Sequence, residues 1–295
     1  MRFRIFACVA LFAFAPSAHA CVNAVGTDHA GRKFSADSSI GTDLTYPFVN
    51  QSIRKAWLSE PYRTIDKARE RKDFESLTNL GVLLIYQGQY ASAVRLFVFL
   101  EKQYPGHHQT AGNLGTALEL SGHDAVALQW IRIGIQRNPD EHEGTEWLHA
   151  RILQAKLELA RNPTYLQTHS VAGIAFESAL VPAIPVAMPA SNTGEPVTPW
   201  QLNQALYFQL LERIQFVAPK DPVVANLLLD WATLNLAGGP IESADALYDA
   251  AVEYGAPRDE LMRQRKAFIK QTLASAGASD SVGRDCGICQ PLRGL

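Results

Sequence analysis

Apolar residues recur with helical spacing along two long stretches of the chain. From residue 70 to 160, and again from 198 to 275, leucine, alanine and aromatic residues return three or four positions apart, which is the spacing of one face of an α-helix. Between 163 and 197 this period is lost and prolines gather in an apolar stretch. The pattern predicts an all-α chain with a Pro-rich irregular connector at 163–197. We expect this apolar connector to pack against the helices, and residues 171–176 are compatible with a short strand.

A repeat with a period of 34 residues runs through the first stretch. Self-similarity at such a period is typical of stacked helical hairpins. Small residues are needed where two antiparallel helices approach closely, and glycine ends a helix cheaply because it adopts the left-handed conformation. The residues that recur at this offset are Asn79-Leu80-Gly81 with Asn113-Leu114-Gly115, Gly88 with Gly122, Ala93 with Ala127, and Pro105 with Pro139.

A third helix begins in the same register without a partner helix after it. Leu148 follows Leu114 by 34 residues, and the helix is predicted from about 143 to 160, ending before Pro163. We expect this helix to cap the array. His149 stands where the repeat has glycine, and we expect it to be accommodated because no further helix presses on it.

This register resembles that of the tetratricopeptide repeat (TPR) family. The matching positions are Gly81, Ala93, Phe97 and Pro105 in the first unit, and Gly115, Ala127, Ile131 and Pro139 in the second. At two positions this sequence departs from the family pattern: Leu77 and Ala111 stand where the family often has tryptophan. The resemblance implies antiparallel hairpins stacked in a short superhelix over residues 60–162. Three segments, 113–120, 144–149 and 220–225, also resemble a group of exported bacterial TPR proteins of unassigned function, and this resemblance extends over roughly residues 70–260.

The second helical segment, 198–275, carries clear start signals. Thr198 and Pro199 offer a hydroxyl N-cap and a first-turn proline, and Asp221-Pro222 repeats the arrangement. The small-small-aromatic-small spacing of Ala232, Ala244, Tyr248 and Ala251 resembles a degenerate third repeat. Residues 21–59 show no clear period and are predicted to be irregular, and a short helix near 61–71 is predicted to precede the first repeat. The tail, 276–295, is predicted to be flexible.

The N-terminal residues 1–20 have the pattern of a secretory signal peptide: Arg2 and Arg4, an apolar run, and small residues before Cys21. We therefore expect a periplasmic or secreted protein. Cys21 allows lipidation, although Ala18 and His19 match that pattern poorly. The formal net charge of −2 becomes about −4 without the two arginines, which disfavours nucleic-acid binding. No segment has the roughly 20 apolar residues of a membrane span.

The concave face of such an array is lined by the first helices, and it predicts the functional site. An exported scaffold or adaptor would bind a protein or peptide partner there. Asparagines beside an acidic rim at Glu143 and Glu146 favour a polar or basic ligand. No catalytic motif is present, so no enzyme activity and no cofactor are predicted. The predicted groove residues are Glu75, Thr78, Asn79, Val82, Gln109, Asn113, Thr116, Glu119, Glu143 and Glu146.

Two other features support an alternative function, an envelope enzyme or a metal or redox accessory protein. Glu146 and His149 lie three apart on a helix, a spacing that suits two ligands of one metal, although a capped helix start explains the acidic residues more simply. Cys286 and Cys289 have the spacing of a redox pair. They lie far from any strand-to-helix turn, so a disulfide within the tail, or one from the tail to Cys21, is the simpler interpretation.

Overall fold

A computed structural model describes residues 24–36, 39–276 and 286–290 of the chain. The predicted all-α fold class is confirmed, with one small β-hairpin added. The elements, in chain order, are β1 (Ala24–Thr27), β2 (Lys33–Ala36), α1 (Thr42–Asn50), α2 (Ser52–Ser59), α3 (Pro61–Arg71), α4 (Phe74–Tyr86), α5 (Tyr90–Gln103), α6 (His108–Leu120), α7 (Asp124–Arg137), α8 (Glu146–Arg161), α9 (Pro199–Arg213), α10 (Pro222–Gly238), α11 (Ile241–Glu253) and α12 (Glu260–Ser275).

Helices α4 to α8 pack in sequence, each against the next, and we call them the array. The glycines of the repeat lie where the two helices of a hairpin meet. The ring of Phe97 occupies the space that a Cβ at Gly81 would need, and a Cβ at Gly115 would lie 2.6 Å from Ile131. Phe97 and Ile131 are both fully buried. The predicted hairpins therefore form because the small and bulky positions of each unit interlock.

The C-terminal helices α9 to α12 form a second packed segment. Thr198 and Gln201 make a reciprocal capping box at the start of α9, and Asp221 accepts a hydrogen bond from the amide of Val224 at the start of α10. Helices α10 and α11 make the predicted hairpin across Gly238-Gly239-Pro240. The helix-start signals in the sequence thus predicted these elements within a few residues.

The connector packs against the helices, but the short strand at 171–176 is not formed. Val171 and Ile174 are buried. Side chains bind the backbone of Val171: its amide donates to Asn226 Oδ1 at 2.8 Å, and its carbonyl accepts from Arg151 Nε at 2.8 Å. Because side chains of the helices already form hydrogen bonds with the amide and the carbonyl of Val171, these groups need no partner strand.

The prediction that residues 21–59 are irregular is wrong for the described part of this segment, which forms β1, β2, α1 and α2. Distant residues hold the hairpin and the start of α1: the Thr27 amide donates to Glu242 Oε2 at 3.0 Å, and the Gly41 amide donates to Ser243 Oγ at 3.0 Å. Phe34 and Leu44 are buried against the rest of the fold. These elements form through long-range contacts, which leave no period in the local sequence.

The tail is ordered where the structure describes it, so the prediction of a flexible tail is wrong at 286–290. Cys286 and Cys289 form a disulfide and Ile288 is buried. The side chain of Ile288 lies where Gly239 has no Cβ, and the Gly287 amide donates to the Gly238 carbonyl at 2.8 Å. This pairing excludes the alternative disulfide from the tail to Cys21.

The predicted signal peptide, 1–20, and Cys21 lie outside the described residues, as do tail positions 277–285 and 291–295. Within the described ranges, none of the helices is both long enough and apolar enough to cross a membrane.

Candidate functional site

The predicted groove residues lie on α4, α6 and the start of α8, and their exposure separates them into different environments. Glu75, Asn79 and Glu143 are exposed, whereas Glu119 and Glu146 are buried. Those of intermediate exposure are Thr78, Val82, Gln109, Asn113 and Thr116. The first helices therefore do not present one continuous open groove.

Helix α9 and the turn after it close the groove over α6 and α8. Arg213, at the end of α9, donates two hydrogen bonds to Glu119, Nη1 to Oε1 at 2.8 Å and Nη2 to Oε2 at 3.1 Å. The ring of Phe216 lies 4.9 Å from the ring of Tyr86 on α4. The prediction that Glu119 faces a ligand is wrong, because the chain's own arginine occupies that position.

A buried ionic cluster joins α6, α8 and α9. His149 Nε2 lies 2.8 Å from Glu119 Oε2, and His149 Nδ1 lies 3.5 Å from Glu146 Oε2. His142 Nδ1 approaches Glu146 Oε1 to 2.6 Å, and Lys156 Nζ approaches Glu119 Oε1 to 3.1 Å. Because both carboxylates have cationic partners, the cluster is a paired network within the fold.

The charges in this cluster stabilise one another against burial. Burial disfavours the ionised form of Glu119, but Arg213 and His149 outweigh it and hold the pKa of Glu119 well below its usual range. Burial lowers the pKa of His149, but hydrogen bonds to Glu119 and Glu146 raise it to about 9. His149 is therefore an imidazolium at neutral pH, and Glu146, whose pKa is also lowered, is a carboxylate.

The expected free space around His149 is absent. The imidazole is buried and it shares a small pocket with Gln209 and Arg213 of α9. The larger side chain is accommodated because Glu119 pairs with it. No local pattern in the sequence indicates the contact between Glu119 and Arg213, since the two residues lie 94 positions apart.

The acidic rim predicted at Glu143 and Glu146 does not form. Helix α8 begins at Glu146, and Glu143 precedes it in a turn where His142, Glu143 and Gly144 all have positive φ values. Glu143 is exposed in this turn, while Glu146 points into the ionic cluster. Without an acidic rim, nothing at this end of the array favours a basic ligand.

The open part of the face is a cleft of about 400 Å³ between α2, α3 and α4. We call it the α3–α4 cleft. Two of its cations are paired, Arg63 with Glu60 at 3.3 Å and Arg71 with Glu75 at 3.8 Å, whereas Lys67 has no charged partner among the described residues. The residues that define its chemistry are Trp57, Arg63, Lys67, Arg71, Glu75 and Asn79.

Sequence reasoning found Glu75 and Asn79 but missed Trp57 and Lys67. Trp57 lies in α2, within the segment predicted to be irregular, and its ring stacks on Tyr86 at 5.5 Å. Tyr86 in turn contacts Phe216. This aromatic row joins the wall of the cleft to the closed part of the face.

The structure also shows the positions of the residues on which the alternative function, a metal or redox accessory protein, depends. Glu146 and His149 belong to the ionic cluster, and the described residues contain no group of three or more candidate ligands suited to a metal. The Cys286–Cys289 disulfide borders a cavity of about 720 Å³, which is also lined by Asn203, Tyr207 and Trp231.

Comparison with known proteins identifies no relative: no family model, no curated protein and no solved structure matches this chain.

Proposed function

We propose that this chain is an exported, TPR-like scaffold that binds an extended segment of a partner protein in the α3–α4 cleft. The observation that carries the proposal is the contrast along one face of the array. Its α6–α8 part is filled by Arg213 and Phe216, while its α4 part remains open around Asn79. The helical-hairpin architecture supports the TPR-like assignment, and the signal-peptide pattern in residues 1–20 supports export.

The chemistry of the cleft favours a polar segment with an acidic residue. The Asn79 side chain is exposed and makes no hydrogen bond within the described chain, so its amide is free to pair with a partner's backbone. Lys67 supplies a cation without a carboxylate partner, and Trp57 supplies an apolar wall. A partner carboxylate at Lys67 would form a charge-assisted hydrogen bond.

Site-specific photocrosslinking tests this proposal. A photoreactive residue at position 79 is expected to capture one dominant partner in cells that export the protein. The same residue at position 95, on the exposed surface of α5, serves as the matched control and is expected to capture none. Equal products from both positions would contradict the proposal.

A charge reversal tests the partner's chemistry. Lys67→Glu is expected to reduce the crosslink from position 79 by about tenfold, because an interaction worth roughly 1.4 kcal/mol is lost. Lys102→Glu makes the same change on the exposed surface of α5 and is expected to leave the crosslink unchanged. Both variants are expected to unfold at the parent's urea midpoint, since neither lysine has a charged partner in the part of the chain that the structure describes.

A redox accessory role is the second candidate, favoured by the position of Cys289 at the wall of the 720 Å³ cavity. Thiol–disulfide exchange there would pass two electrons from a substrate dithiol to the Cys286–Cys289 disulfide, leaving a substrate disulfide and two protein thiols. Oxidation of a reduced dithiol peptide by the parent, and not by Cys289→Ser, would support this role. Equal rates for the two proteins would exclude it.

A further inference from the structure

A small cavity lies between α10, α11 and the start of α12, and it shares no residue with the α3–α4 cleft. Its volume is about 180 Å³. Pro257 and Asp259 are exposed at its mouth, and Tyr248 and Arg265 are buried within its lining. Neither the proposed scaffold function nor the ionic cluster uses these residues.

The guanidinium of Arg265 is buried without a counter-charge. Arg265 is 7% exposed, and no carboxylate within the described residues lies at ion-pair distance from it. Its Nη2 donates to the Ala179 carbonyl at 2.8 Å, which is a neutral acceptor. Its Nη1 reaches the hydroxyls of Thr233 and Tyr248 only at 3.4 and 3.5 Å. A buried cation is normally paired with a carboxylate, so Nη1 is the donor left with the weakest partners.

Two carboxyl groups line the same cavity, and they also lack ion pairs within the described residues. Asp230 accepts a hydrogen bond from Ser170 Oγ at 2.6 Å, and Asp259 accepts one from the amide of Met262 at 2.8 Å. Burial raises the pKa of Asp230 to about 7, an effect that Ser170 and the charge of Arg151 offset only in part. The lining thus holds a buried cation without a carboxylate partner, and two acidic groups, partly buried Asp230 and exposed Asp259, that have no cation at ion-pair distance among the described residues.

We propose that this cavity binds a small free α-amino acid. The carboxylate of the ligand would accept hydrogen bonds from Arg265 Nη1 and from the hydroxyl of Tyr248, which would turn toward the ligand from Thr233 Oγ1, its present partner at 3.1 Å. Its ammonium group would be directed toward Asp230 and Asp259, which line the same cavity. Each charge of the zwitterion then faces a group of opposite charge that has no ion-pair partner among the described residues, through charge-assisted hydrogen bonds.

Size and charge narrow the class of ligand. A dry cavity of roughly 150 Å³ in another protein holds one benzene molecule, so about 180 Å³ accommodates glycine, alanine or serine. A simple anion would be attracted by the guanidinium but repelled by the two acidic groups. A simple amine would be attracted by the acidic groups but repelled by the guanidinium. A ligand that carries both charges avoids this cost.

Titration of the full exported chain with small molecules tests the proposal by calorimetry and saturation-transfer NMR. The probes are glycine, L-alanine and L-serine, with acetate lacking the amine and glycinamide lacking the carboxylate. We expect at least one amino acid to bind, with acetate and glycinamide about tenfold weaker or more. Acetate binding within about threefold of the best amino acid, or no binding of any probe at about 10 mM, would overturn the proposal.

Two conservative variants locate the site. Arg265 also holds the Ala179 carbonyl, so its removal can unfold the connector, and the decisive changes are Tyr248→Phe and Asp230→Asn. Each is expected to weaken amino-acid binding about fivefold to tenfold through one lost hydrogen bond or charge. Arg263→Gln, an exposed change on the same helix, is the control and should bind like the parent. If both Tyr248→Phe and Asp230→Asn bind like the parent, the assignment to this cavity is wrong.

Discussion

The array and the C-terminal helices are both built from helix pairs, but they depend on contacts of different range. In the array the decisive contacts lie within one hairpin, as between Gly81 and Phe97. The C-terminal helices also hold partners from far along the chain: Arg213 binds Glu119 across 94 residues, and Glu242 binds Thr27 across 215 residues. The array therefore supplies a regular face, and long-range contacts determine which part of that face stays open.

The largest expected effect comes from breaking the long-range contact. Arg213→Met is expected to lower the free energy of unfolding by roughly 3–5 kcal/mol, because removal of one partner from a buried ion pair leaves the other charge uncompensated. Urea unfolding followed by circular dichroism measures the change. Arg263→Met, which removes an exposed i,i+3 pair with Glu260, is the control and should cost far less, because solvent screens exposed ion pairs. Equal losses for the two variants would show that α9 is not held by Glu119.

The second effect is a pH dependence of the same contact. The pKa of His149 is raised in the folded protein to about 9, above its ordinary value of about 6.5. The stabilisation that the charged His149 contributes, roughly 3 kcal/mol, is therefore fully present below about pH 6.5 and is lost as pH rises through about 9. Unfolding free energies measured from pH 6 to pH 10 test this, with His149→Gln expected to remove that part of the slope. A parent curve that matches the variant curve would contradict the prediction.

The third effect tests the short-range contacts of the array. Gly115→Leu is expected to destabilise by roughly 1–3 kcal/mol, since a Cβ there would lie 2.6 Å from Ile131. Gly112→Ala on the same helix is the matched control, because no atom lies within 4 Å of its added Cβ. The control is expected to be neutral or to stabilise by roughly 0.5–1 kcal/mol. If Gly115→Leu melts like Gly112→Ala, the account of close helix packing is wrong.

Local signals were sufficient to predict most of the helices. The recurrence of Gly81 at Gly115, and the caps at Thr198 and Asp221, each act within a few residues of the chain, so the sequence alone locates the elements they start or pack. The hairpin β1–β2 and the position of Ile288 could not be predicted in this way. Both depend on α10, α11 and the turn between them, which are distant in sequence.

The candidate site was predictable only where no distant element covers it. Asn79 and Glu75 were inferred from their helix face, and both lie exposed in the cleft. Glu119 was inferred by the same argument, yet Arg213 binds it. Periodicity identifies which residues share a face, but it does not show what else in the chain packs there. Lys67 was missed because α3 carries no repeat signature.

The NMR titration of the His149 imidazole tests the closed groove most directly, with the resonance assigned by comparison with His149→Gln. If α9 closes the groove, His149 lies between Glu119 and Glu146, and we expect the pKa of His149 to be about 9. An imidazole in an open, solvated groove would titrate near its ordinary value of about 6.5. That result would contradict the account, because Glu119 and its neighbours would then be available to a partner.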